Sequence, residues 1–253
     1  AQELWARAAG WSPLCFGAPP LIMAAAVIWL HGLGDTGDGW TGAFRRVQQS
    51  LPQVQFQHPT AKESPLTCDG GGLTTSWFDI STWRPPRPIG LEEPDTPKGL
   101  DETIRTVHQM FADLEGQGVP PERIVVGGFS QGGVASLIAG LTYPKRLGGI
   151  VSISGWATHR DTLESEVSAA NKDLPVLFCY GTADPVIDYD LSKTSASLLS
   201  GMLENLSAVE QARGMHQPHP QELKAAEDFM IRCLTSEGGG GAGDSTAGLS
   251  QLD

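Results

Sequence analysis

The pentapeptide Gly128-Phe-Ser-Gln-Gly132 constrains the fold of this chain more than any other segment. It follows a valine-rich apolar run at residues 123–127 and precedes small and apolar residues at 134–141. A serine between a buried strand and a helix predicts a sharp turn that raises the Ser130 hydroxyl above the sheet as a nucleophile. Glycine is expected two positions before and after it, because the turn crowds the nearby backbone. The alternative is a tight turn whose serine is incidental.

Apolar runs alternate with helical patterns on both sides of this pentapeptide. Runs typical of buried strands lie at residues 24–30, 53–58, 123–127, 147–154 and 175–180. Helical patterns lie at residues 40–51, 100–114, 134–141, 189–206 and 222–234. This alternation predicts an α/β fold with a mostly parallel sheet and helices on both faces. Residues 60–97 are rich in Pro, Gly, Ser and Thr, which predicts a long loop, and such a loop in a compact domain is usually functional.

The length of 253 residues suits one α/β domain. We predict that this domain covers residues 23–235, after an N-terminal extension at 1–22 that has no assigned role. The apolar run at residues 21–30 lacks a preceding basic segment and falls short of the roughly 20 residues that span a membrane. It therefore predicts a core strand rather than a signal peptide or a stable membrane insertion. The tail at 236–253 is rich in Gly and Ser, which predicts disorder.

Composition argues against several classes of partner. Lys and Arg total 17 against 29 Asp and Glu, which gives a formal net charge of -12. This balance argues against nucleic acid and against adhesion to an anionic membrane, because both depend on clustered Lys and Arg. The four cysteines lie far apart, without a CxxC pair or zinc-ligand spacing. They indicate reduced thiols, a cytoplasmic location and no metal site.

A serine hydroxyl becomes a strong nucleophile only when a neighbouring base takes its proton. In a fold with this strand–serine–helix turn, the partners follow in the order Ser, acid, His. Asp184 follows the predicted strand at 175–180 and is the first candidate for the acid, with Asp188 as the alternative. Asp184 also precedes Pro185, where an aspartate is often purely structural.

The base is expected on a loop between the last two helical patterns. His216 and His219 both lie there. The other histidines precede the candidate acids and do not fit the order; they are His31, His58, His108 and His159. Position along the chain leaves both His216 and His219 open.

Five motifs occur in order between residues 24 and 234. They are His31-Gly-Leu-Gly-Asp-Thr-Gly37, Ser76-Trp-Phe-Asp-Ile80, Gly127-Gly-Phe-Ser-Gln-Gly-Gly133, Gly181-Thr-Ala-Asp-Pro185 and Gly214-Met-His216. In these motifs the chain resembles the acyl-protein thioesterase and lysophospholipase-like carboxylesterase family of the α/β-hydrolase superfamily. The resemblance implies the α/β-hydrolase fold and a serine hydrolase that uses no metal or cofactor.

The resemblance also implies roles for particular residues. Ser130, Asp184 and His216 are expected to be catalytic, which favours His216 over the alternative histidine. The backbone N–H groups of Leu33 and Gln131 are the expected oxyanion donors. A glycine-rich turn after the first predicted strand agrees with this, because it lets a backbone N–H face the serine.

The resemblance implies that the long loop borders an apolar acyl channel. We predict that Trp77, Leu73 and Phe78 contact the substrate, and Leu66, Ile80 and Trp83 offer further apolar surface in the same loop. The expected substrates are S-acylated proteins, and release of palmitoyl groups is the favoured activity. The alternatives are a carboxylesterase or lysophospholipase on lipid or small-molecule esters, and a non-catalytic hydrolase fold that binds ligands.

Two segments depart from the family pattern. Residues 207–213 are polar where the family has an alternating strand, so a short or irregular strand is expected there. Residues 81–97 are rich in proline, and the sequence does not indicate how they shape the channel.

Overall fold

Six parallel strands form the central sheet in the computed structural model, which describes residues 25–235. The strands are β1 (Ala25–Leu30), β2 (Val54–Gln57), β5 (Ile124–Phe129), β6 (Gly149–Ile153), β7 (Val176–Gly181) and β8 (Leu206–Gln211). Their spatial order is β2-β1-β5-β6-β7-β8. The expected N-terminal extension at 1–22, the tail at 236–253 and Cys15 lie outside the described residues.

Helices cover both faces of the sheet, as the alternating pattern predicts. They are α1 (Arg45–Ser50), α2 (Leu100–Gly116), α3 (Gln131–Thr142), α4 (Leu163–Glu166), α5 (Tyr189–Met202) and α6 (Pro220–Thr235). The side chains of β1 alternate between two cores, because successive residues of a strand point to opposite faces. Ile28 and Leu30 pack in the core that contains α2, α3 and α5, whereas Val27 and Trp29 pack in the core of α1 and α6. This architecture confirms the predicted α/β fold.

Two local expectations were wrong. The predicted loop at residues 60–97 contains an antiparallel hairpin of β3 (Glu63–Leu66) and β4 (Gly72–Thr75). The polar segment at 207–213 was expected to form a short or irregular strand, yet β8 is a regular strand that pairs with β7 over six residues. It is polar because it lies at the edge of the sheet, where most of its residues are only partly buried.

Two further observations concern the helices and the thiols of the described part. None of its helices combines the length and the apolar character that a membrane crossing requires. Cys68, Cys179 and Cys233 form no disulfide within residues 25–235.

Candidate active site

Ser130 occupies the turn between β5 and α3, where the pentapeptide predicts a nucleophile. Its backbone has φ 54° and ψ -119°, a conformation that an L-residue rarely adopts. The Ser130 N–H donates to the Ile153 carbonyl at 2.8 Å, and its own carbonyl accepts the N–H of Val134 at 3.1 Å. The neighbouring strand and the helix therefore hold the strained residue in place, as is common at functional sites.

The glycines around Ser130 are required by close backbone contacts. A Cβ atom on Gly128 would lie 2.3 Å from the Gly132 carbonyl oxygen. A Cβ atom on Gly132 would lie 2.2 Å from the Leu30 carbonyl oxygen and 2.5 Å from that of His31. Both positions therefore exclude any side chain, and the start of α3 lies directly against the end of β1.

His216 lies between Ser130 and Asp184. Its Nε2 atom is 3.0 Å from the Ser130 Oγ atom, and its Nδ1 atom is 2.8 Å from Asp184 Oδ2. The other carboxylate oxygen of Asp184 accepts the backbone N–H groups of Val186 at 2.7 Å and Ile187 at 2.9 Å. The carboxylate thereby favours the tautomer of His216 with the proton on Nδ1, which leaves Nε2 free to accept the serine proton.

The loop of His216 is held from two further sides. The Ser154 hydroxyl donates to the His216 carbonyl at 3.2 Å. The Phe129 ring packs against the imidazole with ring centroids 5.0 Å apart. These two contacts, together with the hydrogen bond to Asp184, position the imidazole relative to Ser130.

The alternative acid and base have structural positions away from Ser130. Asp188 precedes α5 and accepts the backbone N–H of Asp190 at 2.8 Å, as a helix N-cap does. His219 precedes α6, and its backbone N–H donates to the Glu222 carboxylate at 2.7 Å. The structure therefore brings Asp184 and His216, and neither of the alternatives, to the serine.

Two other serines and two cysteines in the described part are inaccessible or protonated. The hydroxyls of Ser136 and Ser152 belong to fully buried residues. Burial raises the pKa of the Cys179 thiol well above its ordinary value and that of Cys233 to about 12. Neither thiol is appreciably ionised at neutral pH, and only the thiolate is a strong nucleophile.

One of the two expected oxyanion donors is next to the serine in the chain, and the other reaches the same cavity from a distant segment. Gln131 is the first residue of α3, and Leu33 lines the same cavity as Ser130. Neither backbone N–H donates to an acceptor within residues 25–235. Free N–H groups beside a nucleophile are what an oxyanion site needs.

A cavity of about 630 Å³ opens above Ser130 and His216. Its apolar lining consists of Leu33, Trp40, Ala43, Ile80, Trp83, Ile89, Phe129, Val186 and Leu223. Among residues 25–235, no group of three or more His, Cys, Asp or Glu side chains is arranged to hold a metal ion. The lining of the cavity thus places apolar surface beside the Ser–His–Asp arrangement.

The proline-rich segment at 81–97 forms one wall of this cavity. Ile89 pairs with the turn that follows Asp184, because its N–H donates to the Val186 carbonyl at 2.7 Å. The buried Glu93 carboxylate accepts the backbone N–H groups of Ser81 and Thr82, each at 2.9 Å. These bonds fix both ends of the segment, so its apolar residues form a defined surface.

The predicted substrate contacts are not in this cavity. Trp77 and Phe78 are buried and line a separate cavity of about 720 Å³ between the β3–β4 hairpin and α2. Leu73 is 70% exposed on β4 and lines neither cavity. The loop does border the cavity beside Ser130, through Ile80, Trp83 and Ile89, but its sequence did not distinguish residues that pack inward from those that face the serine.

Sequence reasoning missed several residues that do line the cavity. Val186 and Ile89 are the clearest examples. A signal for Val186 existed, because it follows the candidate acid at the carboxyl end of a strand, where sites of parallel sheets form. Ile89 stands alone among prolines, and no periodic pattern marks it.

A parallel sheet with a nucleophile elbow and a Ser–His–Asp arrangement at its carboxyl edge defines a serine hydrolase of the α/β-hydrolase class. The model of the family described as Phospholipase/Carboxylesterase matches residues 18–234. The chain belongs to this family.

Relatives and solved structures agree. Acyl-protein thioesterase 1 of Gibberella zeae is 35% identical over 225 residues, which cover 85% of this chain and 95% of that protein. Acyl-protein thioesterase 1 of Saccharomyces cerevisiae is 32% identical over 217 residues, which cover 83% and 93%. The crystal structure of Arabidopsis thaliana SOBER1 has a TM-score of 0.76 at 27% identity and covers 84% of this chain and 100% of that one. The chain is thus an enzyme, a serine hydrolase of acyl esters or thioesters.

Proposed function

We propose that Ser130 is the nucleophile of this hydrolase, with His216 as its general base and Asp184 as the residue that orients the base. The main support is the position of His216, whose Nε2 atom lies 3.0 Å from Ser130 Oγ and whose Nδ1 atom lies 2.8 Å from Asp184 Oδ2. Ser130 attacks the acyl carbon while His216 takes its proton. The developing oxyanion accepts hydrogen bonds from the backbone N–H groups of Leu33 and Gln131.

His216 then gives its proton to the leaving alcohol or thiol, and an acyl-enzyme on Ser130 remains. A water molecule, deprotonated by His216, attacks this acyl group and releases the carboxylic acid. The Asp184 carboxylate stabilises the imidazolium that forms in each half of the reaction. The cycle needs no metal or cofactor.

For the substrate, we propose an S-acylated protein with a long acyl chain. Two relatives at 32% and 35% identity are named acyl-protein thioesterases, and the cavity beside Ser130 is largely lined by apolar residues. Each buried methylene of an acyl chain contributes about 0.8 kcal/mol to binding. A thioester suits this site as well, because a thiol with a pKa of about 8.5 leaves with little proton assistance from His216.

A second candidate is hydrolysis of lysophospholipids or small carboxylic esters. The description of the matching family, Phospholipase/Carboxylesterase, favours it. The triad is the same for both candidates, so acyl-chain preference and leaving group must separate them. For either substrate we propose a single domain over residues 23–235 and a cytoplasmic location. The three cysteines of the described residues, which form no disulfide there, support the location.

The test measures kcat/KM for p-nitrophenyl esters from acetate to palmitate and for a palmitoylated peptide. We expect activity to rise with chain length, the peptide to be cleaved, and Ser130→Ala to lose all but a residual fraction of kcat. Mass spectrometry after fluorophosphonate treatment should place the adduct on the Ser130 peptide. A preference for acetate without peptide cleavage would favour the carboxylesterase, and an active Ser130→Ala variant would refute the mechanism.

A matched pair of variants locates the acyl-binding surface. Trp83 lines the cavity beside Ser130, whereas Leu73 is exposed outside it. Trp83→Ala should flatten the dependence on chain length, because it removes apolar surface that the chain would cover. Leu73→Ala should leave that dependence unchanged. The opposite result would indicate that the acyl chain binds against the β3–β4 hairpin and not in the cavity beside Ser130.

A further inference from the structure

The peptide group between Gly32 and Leu33 carries one of the two proposed oxyanion donors. Its carbonyl oxygen is 2.6 Å from Nδ1 of His31 and accepts the backbone N–H of Asp35 at 3.2 Å. In a planar trans peptide the C=O and N–H bonds point in opposite directions. Fixing the Gly32 oxygen on one side therefore directs the Leu33 N–H to the other side, and Leu33 borders the cavity above Ser130.

The protonation of His31 is set by a second hydrogen bond. The backbone N–H of Ala61 donates to His31 Nε2 at 3.0 Å, so that nitrogen cannot carry a proton. The proton of the neutral ring is therefore on Nδ1, which donates to the Gly32 carbonyl. His31 is fully buried, and desolvation lowers the pKa of its ring, although the bond to Gly32 and the charge of Asp35 act in the opposite direction. The neutral donor form is thereby maintained.

Trp77 connects this peptide to the second proposed donor. Its indole N–H donates to the His31 carbonyl at 2.8 Å, and its backbone N–H donates to the side-chain oxygen of Gln131 at 2.8 Å. The Gln131 amide in turn donates to the Ser76 hydroxyl at 2.9 Å and the Phe78 carbonyl at 2.6 Å. One buried residue thus binds both chain segments that supply an oxyanion N–H.

We propose that His31 and Trp77 are positioning residues that hold the Leu33 and Gln131 N–H groups as a preformed pair. This inference rests on the proposed roles of those two N–H groups. Neither side chain lines the cavity beside Ser130, so both act through the backbone that they bind. Trp77 has a role in this site, but a different one from the substrate contact that the sequence suggested.

The proposal has a kinetic signature. The oxyanion forms only in the transition state and the intermediate, so a displaced donor lowers kcat and leaves KM nearly unchanged. Loss of one oxyanion donor costs about 10²–10³ in kcat, and misplacement by about 1 Å can cost about 10². The loss should be the same for short and long acyl chains, because no atom of the acyl-binding surface changes.

Two substitutions of His31 separate its two hydrogen bonds. In His31→Asn, the amide nitrogen takes the place of Nδ1 and keeps the donor to Gly32. In His31→Gln, the amide reaches the place of Nε2, which keeps an acceptor for Ala61 and loses the bond to Gly32. We expect His31→Asn to retain kcat within about tenfold and His31→Gln to lose about 10²-fold. Melting temperature measured on each variant separates this effect from lost stability.

Trp77 is tested by Trp77→Phe, which removes the indole N–H and keeps an aromatic ring. Trp29→Phe is its matched control, because Trp29 is a fully buried residue of β1 whose indole nitrogen has no hydrogen-bond partner within residues 25–235. We expect Trp77→Phe to lower kcat by about tenfold or more and to raise the inhibition constant of an alkylboronic acid by a similar factor. Trp29→Phe should change neither.

The outcomes distinguish this proposal from the mechanism on which it rests. If His31→Gln and Trp77→Phe keep the wild-type kcat while Ser130→Ala is inactive, the positioning roles are wrong and the mechanism stands. If Ser130→Ala is active, the mechanism itself fails. A change of KM or of acyl-chain preference in Trp77→Phe, with kcat unchanged, would show that Trp77 contacts substrate and would overturn its positioning role.

Discussion

Replacing Asp184 with Asn changes one property of the active site and preserves its shape. The Asp184 oxygen that accepts Val186 and Ile187 can remain an amide oxygen in the variant. The other oxygen, which lies 2.8 Å from His216 Nδ1, becomes an NH2 group. A donor then faces Nδ1, so His216 is driven to the tautomer with its proton on Nε2. In that tautomer Nε2 cannot accept the proton of Ser130.

The expected loss follows from this change of tautomer. The equivalent substitution in a serine protease lowers kcat by about 10⁴ without altering the geometry. We expect a similar factor here, which corresponds to about 5.5 kcal/mol of transition-state stabilisation at ~1.36 kcal/mol per tenfold. Stability should change by only about 1–2 kcal/mol, because the two backbone hydrogen bonds to the side chain remain and the third, to His216, is kept with its direction reversed.

Asp188→Asn is the control for this experiment. Asp188 caps α5 through a bond to the Asp190 N–H, and asparagine caps helices as well as aspartate does. The kcat of Asp188→Asn should therefore equal that of the wild type within about twofold. The assay is hydrolysis of p-nitrophenyl butyrate at saturation, together with thermal unfolding. An Asp184→Asn variant that keeps more than a tenth of kcat, or an inactive Asp188→Asn variant, would refute the assignment of the acid.

Two further predictions concern histidines. His219→Ala should keep the wild-type kcat and lose less than about 1 kcal/mol of stability, because the bond from its backbone to Glu222 survives; His216→Ala should be nearly inactive in the same esterase assay, and the reverse order would exchange their roles. Burial lowers the pKa of His108 below its ordinary value of 6.5, so the unfolded chain takes up this proton more readily than the folded protein. The His108 contribution to stability is therefore complete above the unfolded pKa and is lost as the pH falls from about 6.5 toward the lowered pKa. His108→Gln keeps a donor for the Ala139 carbonyl, 2.8 Å from the ring nitrogen, and does not titrate. In urea unfolding, the free energy of unfolding should decrease less between pH 7 and pH 5 in this variant than in the wild type. Equal decreases in the two proteins would contradict the prediction.

The fold and the Ser–His–Asp arrangement could be predicted because each depends on short segments with strong local rules. The turn at Ser130 needs glycines where a Cβ atom would meet backbone, and the sequence displays them at Gly128 and Gly132. Chain order and the ends of predicted strands then limit the acid to Asp184 or Asp188. The choice of His216 over His219 came from the resemblance, and the distances to Ser130 agree with it.

The substrate contacts could not be predicted in the same way. Trp77 and Trp83 are both aromatic residues of one loop, with no periodicity to assign them a side. Trp77 turns inward because its two N–H groups donate to an acceptor just after β1 and to one on α3, and both partners are far away in the chain. The Trp83 indole has no such partner within residues 25–235, and Trp83 lines the cavity. Hydrogen bonds to residues distant in the chain determine which tryptophan packs inward, and the pattern of a single sequence does not show such bonds.

The proline-rich segment at 81–97, which lines the cavity beside Ser130, is bonded to the turn that follows the proposed acid, and this link too is non-local. Ile89 forms a parallel bridge with Ile187, and the N–H of Asp188 donates to the Ile89 carbonyl at 2.8 Å. The Ile187 N–H donates to the Asp184 carboxylate that orients His216. A displacement of the proline-rich segment would therefore move the turn that holds the acid. The rigidity supplied by its prolines and by the buried Glu93 carboxylate thus supports the geometry of the reacting groups as well as the shape of the cavity.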